Sequence, residues 1–198
     1  MKKARPYLIA IPLLLLMGSV LFVMTHPNAQ EADARYHAGI PRSIRLTSEA
    51  FADNGAIPAL YSCSGEAISP PLAWTDLPEG TRSLVLLATD QDIPTANLKL
   101  LEFVHWVLYD IPADAPALEA GVSETAFDAS GIAVGPNGYG KPGYYPPCPP
   151  FGSHAYVFRL YALDVDTLAP EADDKVAVLK AMEGHILAYG ELTGFYQQ

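Results

Sequence analysis

The sequence predicts one mostly-β domain with a helix near its end, and three observations support this prediction. Short apolar runs of strand length recur between turns that are rich in proline and glycine. Apolar residues fall on both faces of these runs, as in the central strands of a sheet that is covered on both sides. A single pattern with helical spacing follows late in the chain. The 198 residues, half of them hydrophobic, suffice for one domain with a substantial core but not for two.

A basic and apolar segment begins the chain. Lys2, Lys3 and Arg5 precede an apolar run over residues 7–24, which is typical of an export signal. The run is longer than the usual signal core and close to the lower limit of a membrane span, so a retained signal-anchor is the alternative. We therefore expect residues 1–29 to be a signal peptide or signal-anchor. The protein is then exported, and is either periplasmic or tethered to the inner membrane by an uncleaved N-terminal segment.

The segment after this leader shows no hydrophobic periodicity. Residues 30–42 are therefore predicted to be a linker, and residues 43–198 the folded domain. His26 and His37 lie in the leader and the linker, where we expect solvated side chains.

The domain is strongly acidic. The net formal charge is −10, and without the leader nine basic residues face twenty-two acidic ones, a net charge of −13. Such a chain repels nucleic acid and anionic lipid at long range, because neutralisation of phosphates by Lys and Arg drives that binding. We expect no nucleic-acid partner and contact with a membrane only through the N-terminal segment. Any anion that binds needs a local pocket.

Strands and a helix are predicted from run length and spacing. Residues 83–89, 103–109 and 156–163 have the length and apolar content of buried strands. Asp173 or Asp174 is a suitable N-cap for the late helix, which Gly184 weakens by about 1 kcal/mol relative to Ala. The apolar residues near one face of that helix are Val176, Leu179, Met182, Ile186 and Leu187.

Cys63 and Cys148 are the two cysteines of the sequence. In an oxidising compartment a pair is more simply a disulfide than two free thiols. Closing a loop of this length stabilises a fold by about 4 to 5 kcal/mol in the chain-entropy model. Two separate buried thiols are the alternative, because the sequence does not give the distance between them.

Polar residues follow or interrupt two of the predicted strands. Residues 90–94 (DQDIP) come directly after the first strand, so Asp90 and Asp92 lie where a proline stops the ladder. His105 lies inside an otherwise apolar run, and a buried imidazole there needs a polar partner. A satisfied core histidine is as good an interpretation of His105 as a binding residue.

A rigid loop precedes the third strand. Residues 146–156 (PPCPPFGSHAY) bring His154 and Tyr156 to the strand start. Ordered loops often carry binding residues, so the functional interpretation is stronger for His154 than for His105.

These segments, in this order, resemble the signature segments of the phosphatidylethanolamine-binding proteins. The matching elements are DxDxP at 90–94, HW at 105–106, PPCPPxGxHxY at 146–156 and the strand FRLYALD at 158–164. The segments YSCSG (61–65), SPPLAW (69–74) and AMEGHILA (181–188) are similar to the bacterial YbhB/YbcL, or Raf kinase inhibitor-like, branch. The resemblance runs from about Leu46 to the C-terminus.

The resemblance implies a large central antiparallel sheet packed against a smaller one, a C-terminal helix and a shallow anion pocket. The chain departs from the family at Gln91, where Pro is usual, and at Ala155, where an Arg would add a fixed cation. Two imidazoles and a phenol can donate hydrogen bonds to an anion, and backbone N–H groups near Gly152 can add more. The predicted ligand-binding residues are Asp90, Asp92, His105, Pro147, Gly152, His154 and Tyr156.

The sequence therefore predicts a binding module for a small anion or phospholipid head group, with no catalytic activity and no cofactor. A protein-interaction inhibitor of a kinase or protease partner is the alternative. A metal-dependent or hydrolytic enzyme comes third, because no spacing places three metal ligands on one centre, and a disulfide would remove the thiolate of a Cys148–His154 pair. Two interpretations are open for Tyr139, Tyr144 and Tyr145: they line the mouth of the pocket, or they pack within the loop. His185 is expected to pack on the last helix or to reach a carbonyl.

Overall fold

Nine strands form two sheets in the computed structural model, which describes residues 29–198. They are β1 (Arg45–Thr47), β2 (Gly55–Ala56), β3 (Leu72–Thr75), β4 (Ser83–Thr95), β5 (Leu98–Pro112), β6 (Ala117–Leu118), β7 (Ala133–Val134), β8 (Ser153–Leu163) and β9 (Ile186–Gln197). The large sheet has the order β2-β9-β8-β4-β5-β7, and the small one β1-β3-β6. All neighbours are antiparallel except β2 and β9.

The three predicted strands are confirmed as β4, β5 and β8, the centre of the large sheet. The expectation that Pro94 stops the ladder was wrong, because β4 pairs with β5 through Pro94 to Thr95. Their alternate side chains enter two different cores, as expected for a sheet covered on both faces. Leu84, Leu86 and Ala88 of β4 pack with the small sheet, where Leu72 and Trp74 lie. Val85 and Leu87 pack on the other face, against the last helix. The predicted fold class is therefore confirmed.

Three α-helices and one 3-10 turn accompany the sheets in the described part of the chain. They are α1 (Ala29–His37), α2 (Glu124–Ala129), α3 (Lys175–Met182) and the 3-10 turn Ala59–Tyr61. The predicted cap of α3 is confirmed, because Asp174 accepts hydrogen bonds from the backbone N–H groups of Val176 and Ala177 at 2.9 and 3.0 Å.

The end of α3 differs from the prediction. The helix stops at Met182, and Gly184 has a positive φ of 82° that reverses the chain. Ile186, which we expected on the helix together with Leu187, instead pairs with Leu163 at the start of β9. His185 consequently lies in the turn, where its Nδ1 is 2.9 Å from Asp164 Oδ1.

Most of the segment that we predicted to be a linker is helical and packs on the domain. Asp33, Tyr36 and His37 share one face of α1, as residues three and four apart do. Asp33 forms an ion pair with Arg159, Tyr36 donates to the carbonyl of Leu179, and the His37 ring contacts the Tyr161 hydroxyl. The prediction of a solvated His37 was therefore wrong.

The N-terminal signal predicted over residues 1–29 lies outside the described residues, apart from Ala29. Between residues 29 and 198, no helix is both long and apolar enough to cross a membrane.

The predicted disulfide is confirmed. Cys63 and Cys148 are bonded, with 5.4 Å between their Cα atoms. The bridge joins the segment after the 3-10 turn to the proline-rich loop, and the backbone N–H of Cys63 also donates to the carbonyl of Pro147 at 3.0 Å. The loop is thus fixed at two adjacent points.

Candidate ligand-binding pocket

The pocket lies near one end of the large sheet, where the pairing of β4 with β8 ends at Asp90 while β4 continues along β5 to Thr95. Asp90 is paired in register with Phe103 of β5 and with Tyr156 of β8. By alternation along β4, Asp90 continues the row of Leu86 and Ala88, the face that packs on the small sheet. A carboxylate thus takes the place of the next apolar residue in this row.

His105 reaches the same place through a β-bulge. Ala88 pairs with Trp106 and Thr89 with Val104, so His105 is the extra residue of β5 at this point. Bulges redirect one side chain and are frequent beside binding sites. The His105 and Tyr156 rings lie edge to face, with 5.0 Å between their centroids.

The protonation of His105 follows from its partner. Its Nδ1 is 2.7 Å from the carbonyl oxygen of Tyr145, which can only accept, so Nδ1 carries the hydrogen. Burial lowers the pKa of His105 to about 4, with the Tyr145 carbonyl acting in the opposite direction and nearby His154 lowering the pKa further. His105 is therefore neutral at pH 7, and its Nε2 is a hydrogen-bond acceptor.

Asp90 is held by two donors. His154 Nδ1 lies 2.7 Å from Asp90 Oδ2, and the backbone N–H of Asp92 donates to Asp90 Oδ1 at 2.7 Å. Burial raises the pKa of Asp90, while these two hydrogen bonds act to lower it. The side chain of Asp90 is thus held in place by one imidazole and one backbone N–H.

The cavity between these groups has a volume of about 210 Å³. Burial raises the pKa of Tyr156, and a hydrogen bond from the Cys148 backbone acts in the opposite direction. Tyr156 is among the lining residues, and its hydroxyl can donate a hydrogen bond to a ligand. The lining residues are Asp90, Ile93, Phe103, His105, Tyr139, Tyr145, Cys148, Pro149, Pro150 and Tyr156.

The other predicted ligand-binding residues do not line this cavity. His154 is 0% exposed and lies behind Asp90, and its Nε2 has no hydrogen-bond partner within residues 29–198. Asp92 pairs with Lys99 at 2.7 Å and accepts from the backbone N–H of Ala155 at 2.9 Å. Pro147 and Gly152 flank the part of the loop that forms the wall, Cys148 to Pro150.

An aromatic wall completes the pocket, and sequence analysis identified only part of it. The ring centroids of Phe103 lie 5.2 Å from Tyr139 and 5.4 Å from Tyr145. These tyrosines are in place because Gly138 and Tyr145 donate backbone hydrogen bonds to the β5 carbonyls of Val104 and His105. A Cβ on Gly138 would lie 2.5 Å from the Phe103 ring, so the Gly before Tyr139 is the one sequence signal for this contact.

The structure decides between the alternatives that the sequence left open for Tyr144 and Cys148. Tyr144 does not line the pocket: its ring packs on Trp106 with 5.4 Å between centroids, and its hydroxyl donates to the Tyr61 carbonyl at 3.2 Å. Cys148 is in the disulfide, so a Cys148–His154 nucleophile pair has no free thiol here. Within residues 29–198, no three His, Cys, Asp or Glu side chains are grouped so as to hold a metal ion.

Fold and pocket together define a β-sandwich ligand-binding protein, and comparison with known proteins gives its family. The family model for phosphatidylethanolamine-binding protein matches residues 47–197. The chain therefore belongs to the phosphatidylethanolamine-binding protein family.

Individual relatives agree with this assignment. A UPF0098 protein of Methanothermobacter thermautotrophicus is 44% identical over 156 residues, which are 78% of this chain and 99% of the relative. The crystal structure of a phosphatidylethanolamine-binding protein homologue from Chlamydia trachomatis has 39% identity and a TM-score of 0.71, and the match covers 79% of this chain and 99% of that one. YbcL of E. coli has 25% identity and a TM-score of 0.69 with the same coverage, which supports the YbcL-like branch.

Proposed function

We propose that this protein is a non-enzymatic binding protein that holds a phosphate or carboxylate group, free or as a phospholipid head group. The observation that carries the proposal is that three adjacent strands deliver Asp90, His105 and Tyr156 to one cavity. Its volume of about 210 Å³ is below the usual range of about 300 to 1,000 Å³ for drug-sized ligands. An acid group fits inside, and the remainder of a larger molecule would lie outside.

The polar groups also specify the protonation state of the ligand. Tyr156 offers a donor, whereas Asp90 and the Nε2 atom of His105 offer acceptors. None of the lining residues is Lys or Arg, so no fixed cation balances a double negative charge. A ligand that brings its own proton, such as the monoanion of a phosphate, satisfies donor and acceptors together.

Titration calorimetry of the purified protein with phosphate, phosphoethanolamine and acetate tests this proposal. We expect saturable binding that Tyr156→Phe weakens by about fivefold or more, since one hydrogen bond is lost. Tyr189→Phe is the matched control, because Tyr189 packs with His37 and Tyr161 on the other face of the sheet. Equal affinities of wild type and Tyr156→Phe would rule out this pocket.

A protein partner is the second candidate. Tyr139, on the cavity wall, is 65% exposed, and Phe151, next to wall residue Pro150, is 71% exposed. Exposed aromatic side chains are typical of protein interfaces. This candidate predicts a stoichiometric complex that Phe151→Ser weakens, while small acids do not bind. Retention of the complex by Phe151→Ser would exclude this surface.

We further propose that the protein is exported. The basic and apolar leader supports this, and so does the disulfide, since such bonds persist in oxidising compartments. Cell fractionation is the test: full-length protein recovered only from the cytoplasm would contradict export.

A further inference from the structure

A second cavity lies on the opposite face of the large sheet, beneath α1. Its volume is about 280 Å³. Helix α1 forms its roof, α3 forms one side, and β4, β5 and β8 form its floor. We call it the α1 cavity. Its lining residues are Ala32, Asp33, Tyr36, His37, Leu87, Thr89, Glu102, Arg159, Tyr161, Lys175 and Leu179.

The charged groups of the α1 cavity are paired with one another. The guanidinium of Arg159 binds both carboxylate oxygens of Asp33 at 2.8 and 2.9 Å, and its Nε donates to Glu191 at 2.8 Å. Lys175 forms an ion pair with Glu102. Two cations therefore face two carboxylates within the lining, so an additional charged group would find no unpaired counter-ion.

His37 and Tyr161 are paired as well. His37 Nδ1 donates to the carbonyl of Asp33 at 2.7 Å, which leaves Nε2 to accept from the Tyr161 hydroxyl at 2.8 Å. Burial lowers the pKa of His37, so the ring is neutral at pH 7. Both ring nitrogens of His37 and the hydroxyl of Tyr161 are therefore already hydrogen-bonded within the protein.

Thr89 is the exception. The residue is 2% exposed, and its hydroxyl is buried without a hydrogen-bond partner within residues 29–198. Burying an unsatisfied hydroxyl is unfavourable, whereas a ligand hydroxyl can both donate to it and accept from it. The floor of the cavity thus offers one specific polar contact.

The rest of the lining suits an apolar ring. Leu87 and Leu179 supply aliphatic surface, and Tyr36 and Tyr161 supply ring faces. For comparison, an engineered apolar cavity of about 150 Å³ in another protein binds benzene. A cavity of about 280 Å³ has room for one ring with a short substituent.

We propose that the α1 cavity binds a small uncharged ring compound that carries a hydroxyl group, with that hydroxyl on Thr89. This site is separate from the Asp90 pocket, because Thr89 and Asp90 are consecutive in β4 and point to opposite faces of the sheet. The two sites can therefore be tested independently.

The probe is benzyl alcohol, with benzoate and benzylammonium as charged counterparts of similar shape. Amide NMR titration of the full chain should show saturable shifts around Thr89 and Leu179 with benzyl alcohol. Both charged probes should bind at least about fivefold more weakly, since the lining charges are already paired. Equal or tighter binding of a charged probe would overturn the proposed chemistry, and the absence of a saturable shift with every probe would overturn the proposal.

Two variants assign the site. Thr89→Val keeps the shape of the side chain and removes the hydroxyl, so it should weaken benzyl alcohol about fivefold or more without loss of stability. Leu179→Trp should fill the cavity and abolish binding, and Val176→Trp on the same helix is the control, since Val176 is 75% exposed and does not line the cavity. Unchanged affinity in Thr89→Val, or in a Leu179→Trp variant whose amide spectrum remains that of the folded protein, would overturn the proposal.

Discussion

The carboxylate of Asp90 and the imidazole of His154 form a buried pair on neighbouring strands, with 2.7 Å between Asp90 Oδ2 and His154 Nδ1. Asp90 forms part of the pocket wall and His154 does not. His154 therefore fixes the position of Asp90, and any effect of His154 on the proposed ligand would pass through Asp90. A mutation of His154 is therefore expected to have two effects: it lowers the stability of the fold, and it changes the position of Asp90 in the pocket wall.

Replacing His154 by Ala leaves the buried carboxylate of Asp90 without its side-chain partner. Leaving a buried acceptor without its hydrogen-bond donor typically costs about 1 to 3 kcal/mol, and more for a charged group, so we expect a loss at the upper end of this range or above it in urea unfolding. His185→Ala is the matched control, because His185 forms an exposed pair with Asp164. Exposed pairs contribute about 1 kcal/mol or less. Similar losses in both variants would contradict the structural role of His154.

The stability of the fold should fall as the pH is lowered through the range in which unfolded histidine takes up a proton. His105 has a pKa of about 4 in the fold because of burial, against 6.5 when unfolded. Between these values the unfolded state binds a proton that the folded state excludes, so His105 alone removes about 2 kcal/mol between pH 7 and pH 5. Urea unfolding at both pH values measures this difference.

The variant His105→Gln isolates this contribution. The raised pKa of Asp90 acts in the opposite direction in both proteins, and the lowered pKa of His37 acts in the same direction in both. The loss of stability between pH 7 and pH 5 should therefore be smaller in His105→Gln. An unchanged pH dependence would show that His105 is not buried as a neutral ring.

The disulfide stabilises the pocket wall as well as the chain. Replacing Cys63 and Cys148 by Ser opens a loop with a sequence separation of 85 residues. The chain-entropy model gives a loss of about 4 to 5 kcal/mol, and weaker ligand binding should follow because Cys148 and its neighbours Pro149 and Pro150 form the wall. Urea unfolding with and without reductant measures the first effect. A variant as stable as the oxidised wild type would contradict it.

Helix α1 should be held on the sheet by the ion pair between Asp33 and Arg159. Asp33→Ala removes both hydrogen bonds from that guanidinium, so the amides of residues 29–37 should exchange hydrogen at least about fivefold faster. Gln30→Ala is the control on the same helix, where Gln30 is exposed. Equal exchange in the two variants would mean that the ion pair does not hold the helix.

Local patterns predicted the strands and the residues at their ends. The runs 83–89, 103–109 and 156–163 have unambiguous length and composition, so the central strands followed from the sequence. Asp90 and Tyr156 were identified because they lie at the ends of the predicted runs, and register then makes them neighbours inside the longer strands β4 and β8. The cap at Asp174 was also a local signal.

Other features depend on packing that no local pattern reveals. Helix α1 is short and polar, and it is stabilised by contacts with Arg159 and Leu179, which are distant in sequence. The bulge at His105 is a property of the register between β4 and β5. The aromatic wall requires the segment around Tyr139 to lie along β5, which the sequence indicates only through Gly138.

The central claim, that the Asp90 pocket binds a protonated acid group, is tested most directly by calorimetry with the phosphomonoester phosphoethanolamine as a function of pH. Titrations of the wild type at pH 5.5, 6.5 and 8, each in two buffers of different ionisation enthalpy, give the affinity and the protons exchanged. The second pKa of a phosphomonoester is about 6, so the monoanion is depleted above this pH. The account predicts saturable binding that weakens as the pH rises, with proton uptake at the higher values. Affinity that increases with pH, or the absence of saturable binding at all three values, would contradict it.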